Sequence, residues 1–146
     1  MIDVLVIGAG PTGLMMAAEA ARFGLSCRII DQSPVPSELS KALAIQPRTL
    51  EIFDHLGIIE PFLAQGTKIH GANLLCSPHP LAHLSFHTLD SPYPFILSLE
   101  QSVTEQILSA HLTSFGIHVE REMELIDLQE KEGQVRAIIQ NHRTKE

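Results

Sequence analysis

Apolar residues run unbroken from Val4 to Ile7, recur at spacings of three and four from Leu14 onward, and return from Cys27 to Ile30 around a single charge at Arg28. The first run, Asp3 to Ile7, has the β-branched composition of a strand buried on both faces of a parallel sheet. Leu14, Ala17, Ala18, Ala21 and Leu25 then make one apolar face of a helix that opens at Pro11 and ends at Gly24. A second buried strand follows and ends in Asp31. Farther on, Pro47 opens a helix carrying Leu50, Phe53 and Leu56 and closed by Gly57, and a short helical piece spans Ile59 to Ala64. Lys68 to Cys76, Ala82 to His87 and Phe95 to Leu99 read as strands separated by proline-rich turns, an antiparallel layer beside the parallel sheet. Ser102-Val-Thr-Glu105 forms a capping box for a helix reaching Gly116, and Ile117 to Glu120 is a third parallel strand reached by a long crossover. Glu124 to Leu128 and Val135 to Gln140 form a hairpin around Lys131-Glu-Gly133.

The candidate chemistry sits at the first strand-to-helix turn, Gly8-Ala-Gly10-Pro11-Thr12-Gly13. In that setting Gly8 permits the tight turn, Gly10 lets a pyrophosphate approach the backbone, and Gly13 lets helix and strand pack closely. The helix N-terminus offers unpaired N–H groups and a positive dipole end. Asp31 stands where an acidic residue reaches a ribose hydroxyl. A bare glycine motif would also fit a loop without a ligand. The strand, small-residue helix, second strand and acid together point to an adenine dinucleotide.

Composition narrows the picture further. The chain has 146 residues, 45% of them hydrophobic and 18% charged, which is globular and allows a single ordinary domain. A formal charge of −7, one tyrosine and no tryptophan argue against a nucleic-acid partner. No apolar stretch reaches the length of a bilayer span, and the absence of a basic region before the first strand argues against a signal peptide. Cys27 and Cys76 form no C-x-x-C and read as small hydrophobes of a reducing compartment, so a cytoplasmic enzyme is expected.

Two further features stay open at this level. Arg48 falls in the first turn of its helix, where a cation opposes the dipole. A nearby anion would explain it, and so would a solvated pair with Glu51. His79, His83 and His87 would share a face on a helix, as metal ligands could, but Pro78 and Pro80 argue against a helix. In the strand from Ala82 only His83 and His87 share a face, and a metal site is not expected.

Val6-Ile-Gly-Ala-Gly-Pro-Thr-Gly13-Leu, Asp31, the segment Ser37-Glu-Leu-Ser-Lys41-Ala-Leu-Ala-Ile-Gln-Pro-Arg48-Thr-Leu-Glu-Ile-Phe, and Ser91-Pro-Tyr-Pro-Phe95 with Leu99-Glu-Gln101-Ser-Val-Thr-Glu105 together resemble the single-component FAD-dependent aromatic hydroxylases, the p-hydroxybenzoate hydroxylase-like family. The resemblance runs from residue 1 to about 140. It implies an α/β, Rossmann-like FAD/NAD(P)-binding fold with an antiparallel β insertion, apparently truncated. Residues 1–146 would be the N-terminal part of the FAD-binding domain, with 67–99 starting a β-rich substrate-side layer. Gly8, Gly10, Pro11, Thr12 and Gly13 would cradle the FAD pyrophosphate, and Asp31, with Gln32 beside it, would hold the adenosine ribose. Asp31 departs from the glutamate more usual in the family. Arg48 matches an arginine lying against the cofactor, and Gln101 a glutamine reaching its flavin side. Lys41 stands where the family usually has arginine, so a point charge replaces a planar fork.

The family takes electrons from NAD(P)H, captures oxygen as a flavin hydroperoxide and hydroxylates an electron-rich aromatic small molecule. The flavin carries that chemistry, and no residue of this chain stands out as a catalytic acid or base. The family's later Asp-Gly and Gly-Asp segments lie beyond residue 146, so the chain resembles an N-terminal piece. A homo-oligomer is compatible with it. A halogenase, epoxidase or reductase on the same fold, or a non-catalytic dinucleotide-binding or interaction module, are the competing readings.

Overall fold

The computed structural model describes residues 1–36, 44–77 and 79–144. They divide into two units, Met1–Glu38 with Glu105–Glu146, and Leu39–Thr104.

The first unit is built on β1 (Val4–Ile7), α1 (Pro11–Arg22) and β2 (Cys27–Asp31). β1 and β2 pair in parallel from Val4–Cys27 to Ile7–Ile30. Ile29 and Ile30 on β2 are fully buried, as a central strand covered on both faces requires. Each contributes about 1.5–3 kcal/mol of gross transfer free energy. β1 departs from the expectation of two buried faces: Val6 is buried, but Ile7 is 52% exposed. In the order β1-β2-β8 it is an edge strand, and an edge has a neighbour on one side alone.

α1 buries Leu14, Ala17, Ala18 and Ala20, while Leu25 is exposed beyond the helix end. The apolar stripe therefore passes through Ala20 rather than Ala21. Its alanines bring the helix axis close to the sheet. Gly24, at φ +76°, ends it: the Gly24 and Leu25 N–H groups donate to the Ala21 and Ala20 carbonyls.

The second unit holds β3 (Ala44–Ile45), α2 (Pro47–His55), α3 (Ile59–Gln65), β4 (Thr67–Ile69), β5 (Gly71–Cys76), β6 (His79–Ser85) and β7 (Ile96–Ser98). β7 is the centre of an antiparallel sheet between β3 and β4, and β5 and β6 form a separate antiparallel hairpin. The run expected as one strand from Lys68 to Cys76 thus breaks at His70 and serves two sheets. At Gly71 a side chain would come within 2.8 Å of the Leu84 carbonyl oxygen, so only glycine opens β5 there. Buried Leu50, Phe53, Ile59, Phe62, Phe95 and Leu97 form the core, with Phe53 and Phe62 stacked at 4.2 Å.

α4 (Gln101–Ser114) begins in the second unit and continues in the first. Its first bond, from Thr104 N–H to the Glu100 carbonyl, makes residue 100 the boundary. The expected capping box therefore lies inside the first turn instead of capping it, and its Thr104 and Glu105 are buried with Leu108 and Leu112. β8 (Val119–Arg121) joins β2 in parallel, which is the expected crossover. β9 (Met123–Lys131) and β10 (Gln134–Asn141) form the expected hairpin, each strand longer than its apolar core. No described helix is long and apolar enough to cross a membrane.

Candidate dinucleotide site

The turn between β1 and α1 assigns each glycine a separate physical task. Gly8 has φ +94°, a left-handed conformation that disfavours any side chain. Gly13 carries the packing: a Cβ there would lie 1.9 Å from the Gly8 carbonyl oxygen and 3.3 Å from Val6. Gly10 is different. Its φ of −75° and ψ of 178° suit any residue, and a Cβ there would meet no protein atom within 4 Å. Neither backbone nor packing asks for glycine at this position. The space is open to a group from outside the chain, as a backbone meant to lie against a phosphate needs.

The N-terminus of α1 fits the same purpose. Gly10 is the N-cap, no side chain caps the helix, and its first turn has no acidic residue. The first intrahelical bond runs from Leu14 N–H to the Gly10 carbonyl, so the N–H groups of Thr12 and Gly13 precede the ladder and face the helix end. Pro11 has no N–H to leave unpaired. Such an end attracts an anion.

Asp31, at the end of β2, reaches back into the turn. Its Oδ2 accepts from Ala9 N–H at 2.7 Å and lies 3.7 Å from the Arg121 guanidinium, and its Oδ1 accepts from Ser33 N–H at 2.8 Å. Burial acts to raise this carboxyl, but the Ala9 and Ser33 N–H groups and the Arg121 charge outweigh it and hold it below the ordinary carboxylate range. A carboxylate accepts about four hydrogen bonds, so a ribose hydroxyl still has room. Gln32, beside it, is exposed. The sequence showed the acid but not its bond to Ala9 or its pairing with Arg121. Asp31 and Arg121 are register partners across β2 and β8, a neighbourhood that no local pattern reveals.

Arg48 and Gln101 lie in the second unit, and Lys41 lies outside the described residues. Arg48 is 81% exposed at the side chain and pairs with Glu51, one of the two partners its sequence position suggested. Glu51 also accepts the Ser91 hydroxyl at 2.7 Å. The Ser91 hydroxyl first, and Arg48 second, hold the Glu51 carboxyl below its usual range against the effect of burial. Beside them is a cavity of about 440 Å³ lined by Pro47, Arg48, Glu51, Phe86, Leu89 and Ile96 among others. Its floor is apolar, and its charged rim sets Arg48, already paired with Glu51, beside the carboxylate of Asp90.

The histidines do not gather. β6 holds His79 and His83, not the expected His83 and His87; His83 bonds Asn73, and His87 stacks on His70 at 4.8 Å. No three described His, Cys, Asp or Glu side chains are placed to share a metal ion.

A parallel strand–helix–strand unit with a glycine turn that leaves its Gly10 side open, an uncapped helix N-terminus and an acid at the second strand end defines a dinucleotide-binding protein. Residues 1–146 match the FAD binding domain family, and the chain belongs to it. Among its relatives, pentachlorophenol 4-monooxygenase of Sphingobium chlorophenolicum is 35% identical over 136 residues, covering 92% of this chain and 25% of the relative. Rifampicin monooxygenase of Streptomyces venezuelae is 31% identical over 132 residues, covering 90% and 27%. The solved structure of OxyS anhydrotetracycline hydroxylase from Streptomyces rimosus superposes with a TM-score of 0.87 at 30% identity, over 97% of this chain and 28% of that one. The chain thus spans about a quarter of the length of these relatives.

Proposed function

We propose that the chain is the FAD-binding segment of an NAD(P)H-dependent flavoprotein monooxygenase that hydroxylates an aromatic or similarly electron-rich small molecule. The observation that carries the cofactor reading is Gly10, a glycine needed by neither backbone nor packing at the mouth of an uncapped helix. The names of the relatives, monooxygenases of chlorinated phenol, rifampicin and anhydrotetracycline, support the reaction class.

In this reading Gly8, Gly10, Pro11, Thr12 and Gly13 hold the pyrophosphate, with hydrogen bonds from backbone N–H groups and no side chain between them and the phosphates. Asp31 accepts a ribose hydroxyl with Gln32 beside it, and Arg48, Lys41 and Gln101 contact the remainder of the cofactor. Bound FAD supplies the redox chemistry, accepting electrons from the reduced nicotinamide and activating molecular oxygen. This chain binds and orients it. Residues 67–99 begin a β-rich layer on the substrate side, and the cavity beside Arg48 belongs to that side. Free Cys27 and Cys76 support a reducing, cytoplasmic setting.

The test is to purify the natural protein from its source cells and measure flavin content, FAD affinity and substrate-dependent NAD(P)H oxidation with product analysis. FAD binding with a hydroxylated product is the expected result. Tight nicotinamide binding without flavin affinity would remove the reading, and a halogenated or epoxidised product would replace the reaction.

A further inference from the structure

One carboxylate, that of Asp31, ties three segments of the first unit together: the glycine turn through Ala9, the turn after β2 through Ser33, and β8 through Arg121. We propose that Arg121 is a positioning residue of the dinucleotide site, holding the Asp31 carboxylate where its Oδ2 fixes the Ala9 N–H and so sets the turn that keeps the Gly10 side open. The inference rests on the flavin reading for what enters the turn, but not for the mechanics of the turn itself.

The turn is held by two N–H groups. Gly8 donates to the Ile30 carbonyl at 2.8 Å and Ala9 donates to Asp31 at 2.7 Å. The first acceptor is backbone and cannot rotate away. The second is a side chain with free torsions, so something must fix it. Ser33 restrains Oδ1, and Arg121 stands against Oδ2, the oxygen that Ala9 uses. At 3.7 Å the guanidinium is beyond hydrogen-bond reach and acts as a charge, leaving that oxygen free to accept from Ala9. Both side chains are largely buried, 23% and 16% exposed, so solvent screens the pair weakly. It also follows that Ala9 N–H is committed to Asp31. Phosphate oxygens are left with the N–H groups of Gly10, Thr12 and Gly13.

A purely structural role for Arg121 has a built-in comparison. Glu120, the residue before Arg121 and the register partner of Ile30, is bridged diagonally by Arg28, whose guanidinium donates twice to it at 2.7 Å. That bridge joins β2 to β8 without touching the turn. The charged groups of β2 and β8 beside Asp31 are Arg121 and the Arg28–Glu120 pair; β9, which also packs on β2, brings Glu124, paired with His142, after Glu122 in the connecting turn; and Val4 to Gly10 has no titratable side chain.

The experiment compares Arg121→Gln, Arg121→Lys and Arg28→Gln in the full chain. It reads amide exchange at Ala9 by NMR, affinity for ADP as a probe of the adenosine and pyrophosphate half, and the pH dependence of that affinity. Arg121→Gln should speed Ala9 exchange and weaken ADP binding, each on the order of tenfold, as loss of an oriented, charge-assisted acceptor implies. It should also move the acid loss of ADP affinity to higher pH, because an Asp31 without its cation protonates more easily. Arg121→Lys should restore most of each effect, and Arg28→Gln should lower the melting temperature without altering any of the three. An unchanged Ala9 amide in Arg121→Gln, or an equal change in Arg28→Gln, overturns the proposal. Should the unaltered protein bind neither ADP nor FAD, the flavin reading falls, and the Ala9 amide by itself decides whether Arg121 holds the turn.

Discussion

Gly10 and Gly13, three residues apart in one motif, should fail in opposite ways when each is replaced by alanine. At Gly13 the new Cβ would sit 1.9 Å from the Gly8 carbonyl oxygen, a contact with backbone on one side and helix on the other. Relief requires α1 to move off β1 or the turn to open. Overpacking of a well-packed site costs about 1–3 kcal/mol, and a backbone clash this close belongs at the upper end, about 3 kcal/mol. For a domain of this size that lowers the melting temperature by roughly 6–12 °C. At Gly10 the new Cβ meets nothing. The reduced entropy of the unfolded chain favours alanine by about 0.4–1 kcal/mol, and the poorer N-cap costs a similar amount, so stability should stay within about 0.5 kcal/mol. FAD affinity should nevertheless fall by about tenfold or more, because the methyl group enters the space that the flavin reading gives to phosphate; Gly10→Val should abolish it. Urea denaturation of both alanine variants, with flavin fluorescence quenching on the folded protein, separates the two effects. Equal destabilisation by both, or full FAD affinity in Gly10→Ala, would refute the assignment of separate tasks.

Arg48→Ala should weaken FAD binding while shifting the melting temperature by less than about 2 °C, since an ion pair with so exposed an arginine adds little stability; a large thermal loss with unchanged affinity would instead mark Arg48 as a helix-surface pair with Glu51. Acid should unfold the protein through Asp31 and Glu120. Both carboxyls are held below their ordinary values of 3.8 and 4.5, Asp31 by its N–H donors and Arg121 in spite of burial, and Glu120 by the Arg28 guanidinium. Their stabilisation is therefore fully present above about pH 5 and is lost as pH falls through the depressed folded values. Urea midpoints measured from pH 3 to 7 should drop on the acid side, with a shallower drop in Arg28→Gln; a flat profile would contradict the pairing. Cys76 is exposed, whereas Cys27 is half-buried on β2 and burial pushes its thiol up, so a disulfide reagent at pH 8 should label Cys76 well before Cys27. Equal labelling rates would show that β2 opens readily.

The elements with strong local periodicity were legible in the sequence. Pro11 and Gly24 bracket α1, Pro47 and Gly57 bracket α2, and the polar turn at Lys131-Glu-Gly133 joins β9 to β10. Each is set by interactions within a few residues: a fixed proline φ, a left-handed glycine, a short turn between apolar runs. The glycine motif and Asp31 were legible for the same reason, because their spacing follows from one strand–helix–strand unit. The break of the Lys68–Cys76 run and the two-residue strand β3 were not. Their boundaries depend on the Leu84 carbonyl above Gly71 and on pairing with β7, partners far away in the chain.

The site divides along the same line. The sequence by itself determined that a tight glycine turn joins β1 to α1, since glycine and proline act on their own backbone. Tertiary structure decided which glycine serves the fold and which leaves room for a ligand, because that depends on what stands within 4 Å of an absent Cβ. It also decided that Asp31 grips Ala9 and faces Arg121, a residue ninety positions later in the chain, because parallel register between β2 and β8 is set by the burial of Ile29 and Ile30 and not by any local signal.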